Sequence, residues 1–428
     1  MLTVIIFIII LGILIFVHEL GHFLVAKRNG VSVEEFGFGF PPRLLGIQRV
    51  AEQKLQKFSE KKTDIHLTVD SYDLRSSGEV IEEAEVREEQ VFERVDLVKK
   101  WRLIWRNKKT DEKTQESSGS ETIYSINWIP LGGFVKILGE GGEEKYNPHS
   151  FAAKKIWRRA LILVAGVAMN ILLAIFLLSL GNIIGLPTAI DDSENIAAAK
   201  VQITQIENNS PAQTAGLQAG DTVLKMTGVS GQIADIAKVS QVQDFTDQNK
   251  GTEITLTVER VKKLIDVKIT PRVNPPPGEG AMGVGLARIA DVSYSWYRAI
   301  WEGTVSTFSL VWLVIQALGM LLWQLISHGR VVSELTGPVG IYNLTGQAAQ
   351  MGFIYLLQLT VLLTINLAII NILPFPALDG GRLLFLLIEK IKGSPVSQRV
   401  ERAVHSAGFV FLIILMLLIT VRDIIKLF

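Results

Sequence analysis

His18-Glu19-Leu20-Gly21-His22 closes a run of seventeen residues, Met1 to Val17, that carries no charged side chain. On a water-soluble enzyme such a pentapeptide sits on an amphipathic helix. Here the segment leading into it is apolar enough for lipid, and ionisable groups at membrane depth are costly and mark function. His18 and His22 are four residues apart, so on a helix both imidazoles leave from one face. Two imidazoles at that spacing can share one Zn²⁺ at about 2.0–2.1 Å each. Glu19 stands beside them, free to hold a water and take its proton as that water attacks a peptide carbonyl. With six histidines in 428 residues, two in register around a glutamate are hard to assign to chance.

Composition supports a membrane setting. The chain is 48% hydrophobic with a mean hydropathy of +0.32, and its length leaves room for two or three domains. A net charge of +1 offers nothing to a nucleic acid. There is no cysteine, so disulfides and thiolate ligands are excluded and any metal must be held by histidine and carboxylate. The opening run lacks the basic flank and small-residue cleavage site of a signal peptide, and is read as a retained span.

Four stretches are predicted to cross the bilayer as helices: one within 1–47 (about 2–25), then 160–190, 351–381 and 404–421. Basic residues set their orientation. Lys27 and Arg28, then Lys154, Lys155, Arg158 and Arg159, then Arg382, Lys390, Lys392, Arg399 and Arg402 can all be cytoplasmic together. The metal motif then lies towards the cytoplasmic side, His18 being about 25 Å down the first helix. Segment 296–328 is also apolar, but Glu302, Thr304, Ser306, Ser309, Gln316 and Gln324 point to a helix in the outer interface.

Segment 48–121 reads as a charged cytoplasmic insertion. Within it, Trp101, Leu103, Ile104 and Trp105 among lysines and arginines predict a basic aromatic helix suited to an anionic leaflet, or a plain solvated helix or linker. Segment 197–272 reads as a small β-rich domain: Val201 to Ile206 alternates at period two, and Pro275-Pro276-Pro277-Gly278 closes the unit.

A catalytic zinc takes three protein ligands. Glu34 and Glu35 follow Gly30, which ends the first helix, and fit poorly. Asn371-Ile372-Leu373-Pro374-Phe375-Pro376-Ala377-Leu378-Asp379-Gly380-Gly381 is a better source. Asp379 is the first charge after a long apolar stretch. Two prolines break the helix and two glycines free the turn, which can aim the carboxylate back at the metal. The alternative is that Asp379 caps the helix that follows.

On these residues the chain resembles the bacterial site-2 proteases, intramembrane zinc metalloproteases, of the regulator of sigma-E protease type. The matching stretches are His18 to His22, Pro130-Leu131-Gly132-Gly133-Phe134-Val135-Lys136, Thr336-Gly337-Pro338 and Asn371 to Gly381. The resemblance implies a mainly α membrane protein with four transmembrane helices and a membrane-embedded β-hairpin at 122–140. It implies His18, His22 and Asp379 as ligands of one Zn²⁺, Glu19 as general base, and Asn366 and Asn371 as substrate-holding residues. Gly132, Gly133 and Phe134 lie in the hairpin, whose edge can pair with a substrate chain. Asn209-Ser210-Pro211-Ala212 and Ala215 to Asp221 resemble a PDZ domain. The sigma-E type carries two such domains where this chain shows one, and the 48–121 insertion is a second departure.

The function implied is regulated intramembrane proteolysis in a bacterial inner (cytoplasmic) membrane. The partners implied are the lipid bilayer and single-span membrane proteins already shortened outside by an upstream site-1-type protease. Anti-sigma factors and signal-peptide remnants are the expected substrates. A membrane-anchored PDZ scaffold with an inactive metal site is the alternative; it predicts no bound zinc. A transporter predicts repeats among the spans, and none is seen.

Overall fold

The computed structural model describes residues 2–58, 92–105, 122–328 and 337–425, apart from positions 195, 197, 198, 208, 230, 232, 262 and 277. Its helices are α1 (Leu2–Arg28), α2 (Ile156–Ile184), α3 (Pro211–Thr214), α4 (Val239–Gln248), α5 (Trp296–His328), α6 (Pro338–Met351), α7 (Phe353–Ile372), α8 (Asp379–Lys392) and α9 (Gln398–Ile425).

Five of them, α1, α2, α5, α7 and α9, are long and apolar enough to cross a membrane. The sequence reading allowed four and laid 296–328 on the interface. Of the polar residues that argued for the interface, Thr304 donates to the Ile300 carbonyl at 2.7 Å. Leu310, Val311, Val314 and Leu318 of α5 pack on a cluster of Ala174, Leu178, Val361 and Ile365 from α2 and α7. α2 ends earlier than the expected 190. Gly185, at φ +112°, closes the helix, and the next five residues are a strand.

The hairpin expected at 122–140 forms part of a larger sheet of β1 (Val33–Phe58), β2 (Phe92–Trp105) and β3 (Ile123–Ile137), in the order β2-β1-β3. Both β1 and β3 turn midway, and their halves interleave. Phe36 pairs with Val135 on one side and with Tyr124 on the other; Tyr124 pairs in turn with Ile47, and Ile47 with Leu103. Residues 133–137 are therefore an edge, and no described strand covers their outer side. The sequence reading assigned no strand to 33–47, where Gly37, Gly39, Pro41 and Pro42 interrupt the alternation that marks a strand.

The basic aromatic helix expected near Lys99 is corrected: residues up to Trp105 are strand β2, with Arg49 opposite Trp101. Trp101, Leu103 and Trp105 recur at period two and are exposed on one face, whereas Ile104 between them is buried. The rest of the insertion, 59–91 and 106–121, lies outside the described residues.

The β-rich domain is larger than 197–272. It contains β4 (Leu186–Ile190), β5 (Lys200–Ile206), β6 (Thr222–Thr227), β7 (Ile233–Asp235), β8 (Ile254–Arg260), β9 (Lys263–Ile269) and β10 (Val284–Val292). The order is β4-β10-β5-β6-β8-β9, with β7 on β6. The chain after Pro275-Pro276-Pro277 returns through β10, between β4 and β5, so the prolines mark a turn inside the domain. Its core gathers Val201, Ile203, Met226, Val242, Leu256 and Val258, all fully enclosed. The period-two burial of β8 is the pattern that made this strand readable.

Candidate metal centre

α1 carries His18 and His22 on the face it turns to α2, and both are buried. Asp379 begins α8, after α7 has ended at Ile372 and the chain has turned through Pro374 and Pro376. The three meet. Nε2 of His18 lies 3.0 Å from Oδ2 of Asp379 and 3.1 Å from Nε2 of His22, and Nε2 of His22 is 3.2 Å from the same carboxylate oxygen. Among the described residues they are the group of three able to hold a metal ion.

These separations test the fit to zinc. In a tetrahedral site with bonds of about 2.0–2.1 Å, neighbouring ligand atoms stand about 3.3–3.4 Å apart. The observed triangle is only slightly tighter. Two imidazole nitrogens and a carboxylate oxygen offering lone pairs to one point need a cation between them, and the set has the nitrogen and oxygen donors that zinc accepts.

Surrounding groups orient the rings. Nδ1 of His22 lies 2.8 Å from the carbonyl of Ile162. A carbonyl only accepts, so Nδ1 carries the proton and Nε2 presents its lone pair to the centre. Nδ1 of His18 faces the side-chain amide of Asn170 at 3.3 Å. The amide turned over by 180° sets Oδ1, which is otherwise buried without a partner, against an Nδ1 proton and frees Nε2 in the same way. Gly166 of α2 makes the space: a Cβ there would collide with Nε2 of His22 and fall 2.7 Å from Cε1 of His18.

Glu19 is half-buried on α1, next to His18. The edge strand passes directly over it. A Cβ on Gly133 would stand 2.8 Å from Cα of Phe16 and 3.4 Å from Cβ of Glu19, and one on Gly132 would meet Ile15 at 2.7 Å. Only strand residues without side chains bring the backbone this close to α1. Phe134 follows, half-buried and opposite Gly37. Asn371 reaches the centre, its amide nitrogen 3.5 Å from Nε2 of His18. Asn366 is half-buried one turn and a half earlier on α7, and leaves the helix about 140° away from Asn371; no hydrogen bond ties it to the centre among the described residues.

Further polar groups lie around the centre and beyond it. Asn170 is fully buried within the uncharged stretch 160–184 of α2, and the logic that singled out Asn366 and Asn371 applies to it equally. On the side of the basic clusters, Arg382 pairs with Glu140, Arg159 with Glu389 at 2.5 Å and Arg402 with Glu143 at 2.9 Å. The Glu140 and Glu143 pairs tie the loop after β3 to α8 and α9, and the Arg159 pair ties α2 to α8; Glu140, Arg159, Arg382 and Glu389 line a cavity of about 110 Å³. Within β1, burial pushes the Glu35 carboxyl upward, but the hydrogen-bonded guanidinium of Arg43 outweighs it and holds the group below the usual carboxylate range. At the far end, Asp423 of α9 accepts from the amides of Gly337 and Gly340 at 2.9 and 3.0 Å, which caps α6. Thr336 of that motif lies outside the described residues.

The chain is similar to known proteins along its whole length. The chain matches the family "Peptidase family M50" over residues 6–56 and 112–415. It is 30% identical to the regulator of sigma-W protease RasP of Bacillus subtilis, over 100% of this chain and 99% of that protein. It is 32% identical to the zinc metalloprotease RasP of Oceanobacillus iheyensis, over the whole of both. The regulator of sigma-E protease RseP of Salmonella typhimurium is 28% identical over 97% of each chain.

Proposed function

Because the chain belongs to peptidase family M50 and is a multi-pass bacterial membrane protein and zinc metalloprotease, we propose that His18, His22 and Asp379 hold its single zinc ion and that Glu19 is the general base. The observation that carries this is the convergence of three ligand atoms within 4.8 Å of one another from opposite ends of the sequence. Bound there, zinc supplies Lewis acidity to the water and the peptide carbonyl. The chain's own residues do the rest. The Glu19 carboxylate takes the water's proton and passes it to the leaving amine. Asn371, beside the ligand atoms, hydrogen-bonds the substrate next to the cleaved bond, and Asn366 holds it farther along α7.

The substrate is a single-span membrane protein whose helix has opened. A helical peptide bond hides its carbonyl in a hydrogen bond and cannot be attacked until it unwinds. The uncovered edge at 133–137, with Gly132, Gly133 and Phe134 over Glu19, offers replacement backbone bonds to an extended chain. The reading is regulated intramembrane proteolysis in the inner (cytoplasmic) membrane, acting after an upstream site-1-type protease has removed the ectodomain. Anti-sigma factors and signal-peptide remnants are the substrate classes that fit. Four helices spanning the bilayer with α5 in the outer interface remains the arrangement that keeps the three basic clusters on one side. The β-rich domain is PDZ-like and extracytoplasmic. The ion-paired side of the site faces the cytoplasm, where the product leaves.

Zinc content measured with cleavage of single-span substrates tests the assignment. Glu19→Gln is expected to keep zinc and lose cleavage, and Asp379→Ala to lose zinc. Full activity in either variant removes the role given to that residue. A scaffold with an inactive site is not favoured, since all three ligands and the base are present together.

A further inference from the structure

The turn that delivers Asp379 is supported by the last helix. Ala377, two residues before Asp379, has φ +76°, a left-handed conformation that disfavours a residue bearing a Cβ. Its N–H donates to Nδ1 of His405 on α9 at 2.9 Å. An amide N–H cannot accept, so Nδ1 of His405 holds a lone pair and the ring is the neutral tautomer with its proton on Nε2. Phe385 of α8 packs on the imidazole, with ring centroids 5.5 Å apart.

Two more contacts follow at steps of three along α9. Gly408 meets Pro376 so closely that a Cβ would fall 2.8 Å from the proline's carbonyl oxygen, and Phe411 lies 5.8 Å from Phe375, centroid to centroid. Residues 405, 408 and 411 thus meet 377, 376 and 375 in turn. Phe411 is about half exposed, as are Phe409 and Val410 beside it. The helix touches the turn through this stripe.

We propose that His405 is a positioning residue for the third metal ligand: by accepting the Ala377 amide it holds that residue inverted, which aims Asp379 at His18 and His22. The proposal rests on the reading of Asp379 as a zinc ligand. Losing the acceptor leaves a half-buried N–H without its partner at a residue already in an unfavourable conformation, and the turn relaxes away from the metal. Glycine at 377 would accept that conformation without support.

The test is zinc affinity of the purified full chain, measured by competition with a chelator. His405→Ala and His405→Phe are expected to weaken zinc binding about 10–100-fold, as removal of groups that orient metal ligands does. His405→Asn, whose side-chain oxygen stands near the place of Nδ1, is expected to retain parent affinity, and Ala377→Gly to restore it in the His405→Phe background. Parent affinity in His405→Phe, or a loss in His405→Asn as large as in His405→Phe, overturns the proposal. Should His405→Ala fail to fold, the Phe and Asn variants carry the comparison. Asp379→Ala separates the two levels. Parent zinc affinity in that variant sinks the ligand assignment itself, whereas lost zinc there with none lost in His405→Phe sinks only the positioning role.

Discussion

Nε2 of His18 lies 3.0 Å from Oδ2 of Asp379, although 361 positions separate the two residues in the chain. A metal held between them joins the first helix to the turn after α7. Metal binding to such a site is folding free energy as well as chemistry.

Removal of zinc is therefore expected to lower the stability of the whole helical unit. A ligand at a hundred times its dissociation constant stabilises by about 2.7 kcal/mol. The thermal midpoint in detergent should fall on chelation and recover when zinc is restored. A midpoint indifferent to chelation would place the metal elsewhere.

Gly166→Ala is expected to displace both imidazoles, because its Cβ would overlap Nε2 of His22. Overpacking of this sort costs about 1–3 kcal/mol. Zinc content should drop while the helical circular dichroism stays at the parent level. Unchanged zinc content would show that α2 can move aside without consequence.

The substrate edge can be read by hydrogen exchange. In Glu19→Gln, amides in 133–137 that face outward should exchange freely and become protected when a single-span substrate is bound. Residues 124–126 already have neighbours on both sides and should change little. Protection confined to other segments would remove strand pairing as the mode of binding.

The β-rich domain should fail separately from the metal centre. Asp221 is 1% exposed and accepts from Nε and Nη2 of Arg260 at 2.7 and 2.6 Å. Asp221→Ala takes the carboxylate from a guanidinium that is a quarter exposed and keeps its bond to the Gly216 carbonyl, so the cost stays below the roughly 3–5 kcal/mol of a fully buried pair. Exchange in β6 and β8 should rise with zinc content intact. Loss of zinc in this variant would couple the two units.

Acid should loosen the start of α4. Asp192 accepts from the amides of Val239 and Ser240. Burial pushes its carboxyl upward, but these bonds outweigh it and hold the group below the usual aspartate range. A depressed folded value means the cap is fully present above the unfolded value of about 3.9 and is lost as pH falls through the folded one. Exchange at Val239 and Ser240, corrected for intrinsic rate, should accelerate only below that window. Acceleration near neutral pH would contradict the cap.

Much of this site was legible because lipid makes polarity conspicuous. His18, Glu19, His22 and Asp379 stand out against long uncharged runs, and Asn371 does so within α7. Asn170 had the same signal. Gly166 did not, since a glycine's role depends on which ring lies opposite, and that is a property of helix packing. His405 was hidden because its partner is a backbone amide, which no side-chain pattern announces. The sheet was half seen: β3 showed its bend, whereas 33–47 belongs to it only through pairing with distant residues. Strand β2 was mistaken for a helix because charge was weighed above the period-two recurrence of Trp101, Leu103 and Trp105.

X-ray absorption at the zinc edge tests the shared centre most directly. Two imidazole nitrogens, with the remaining donors oxygen, all at about 2.0–2.1 Å, are expected in the full chain, with the signal lost in Asp379→Ala. A shell holding any other number of imidazoles, or one unaltered by Asp379→Ala, would contradict the assignment of His18, His22 and Asp379 to one zinc ion.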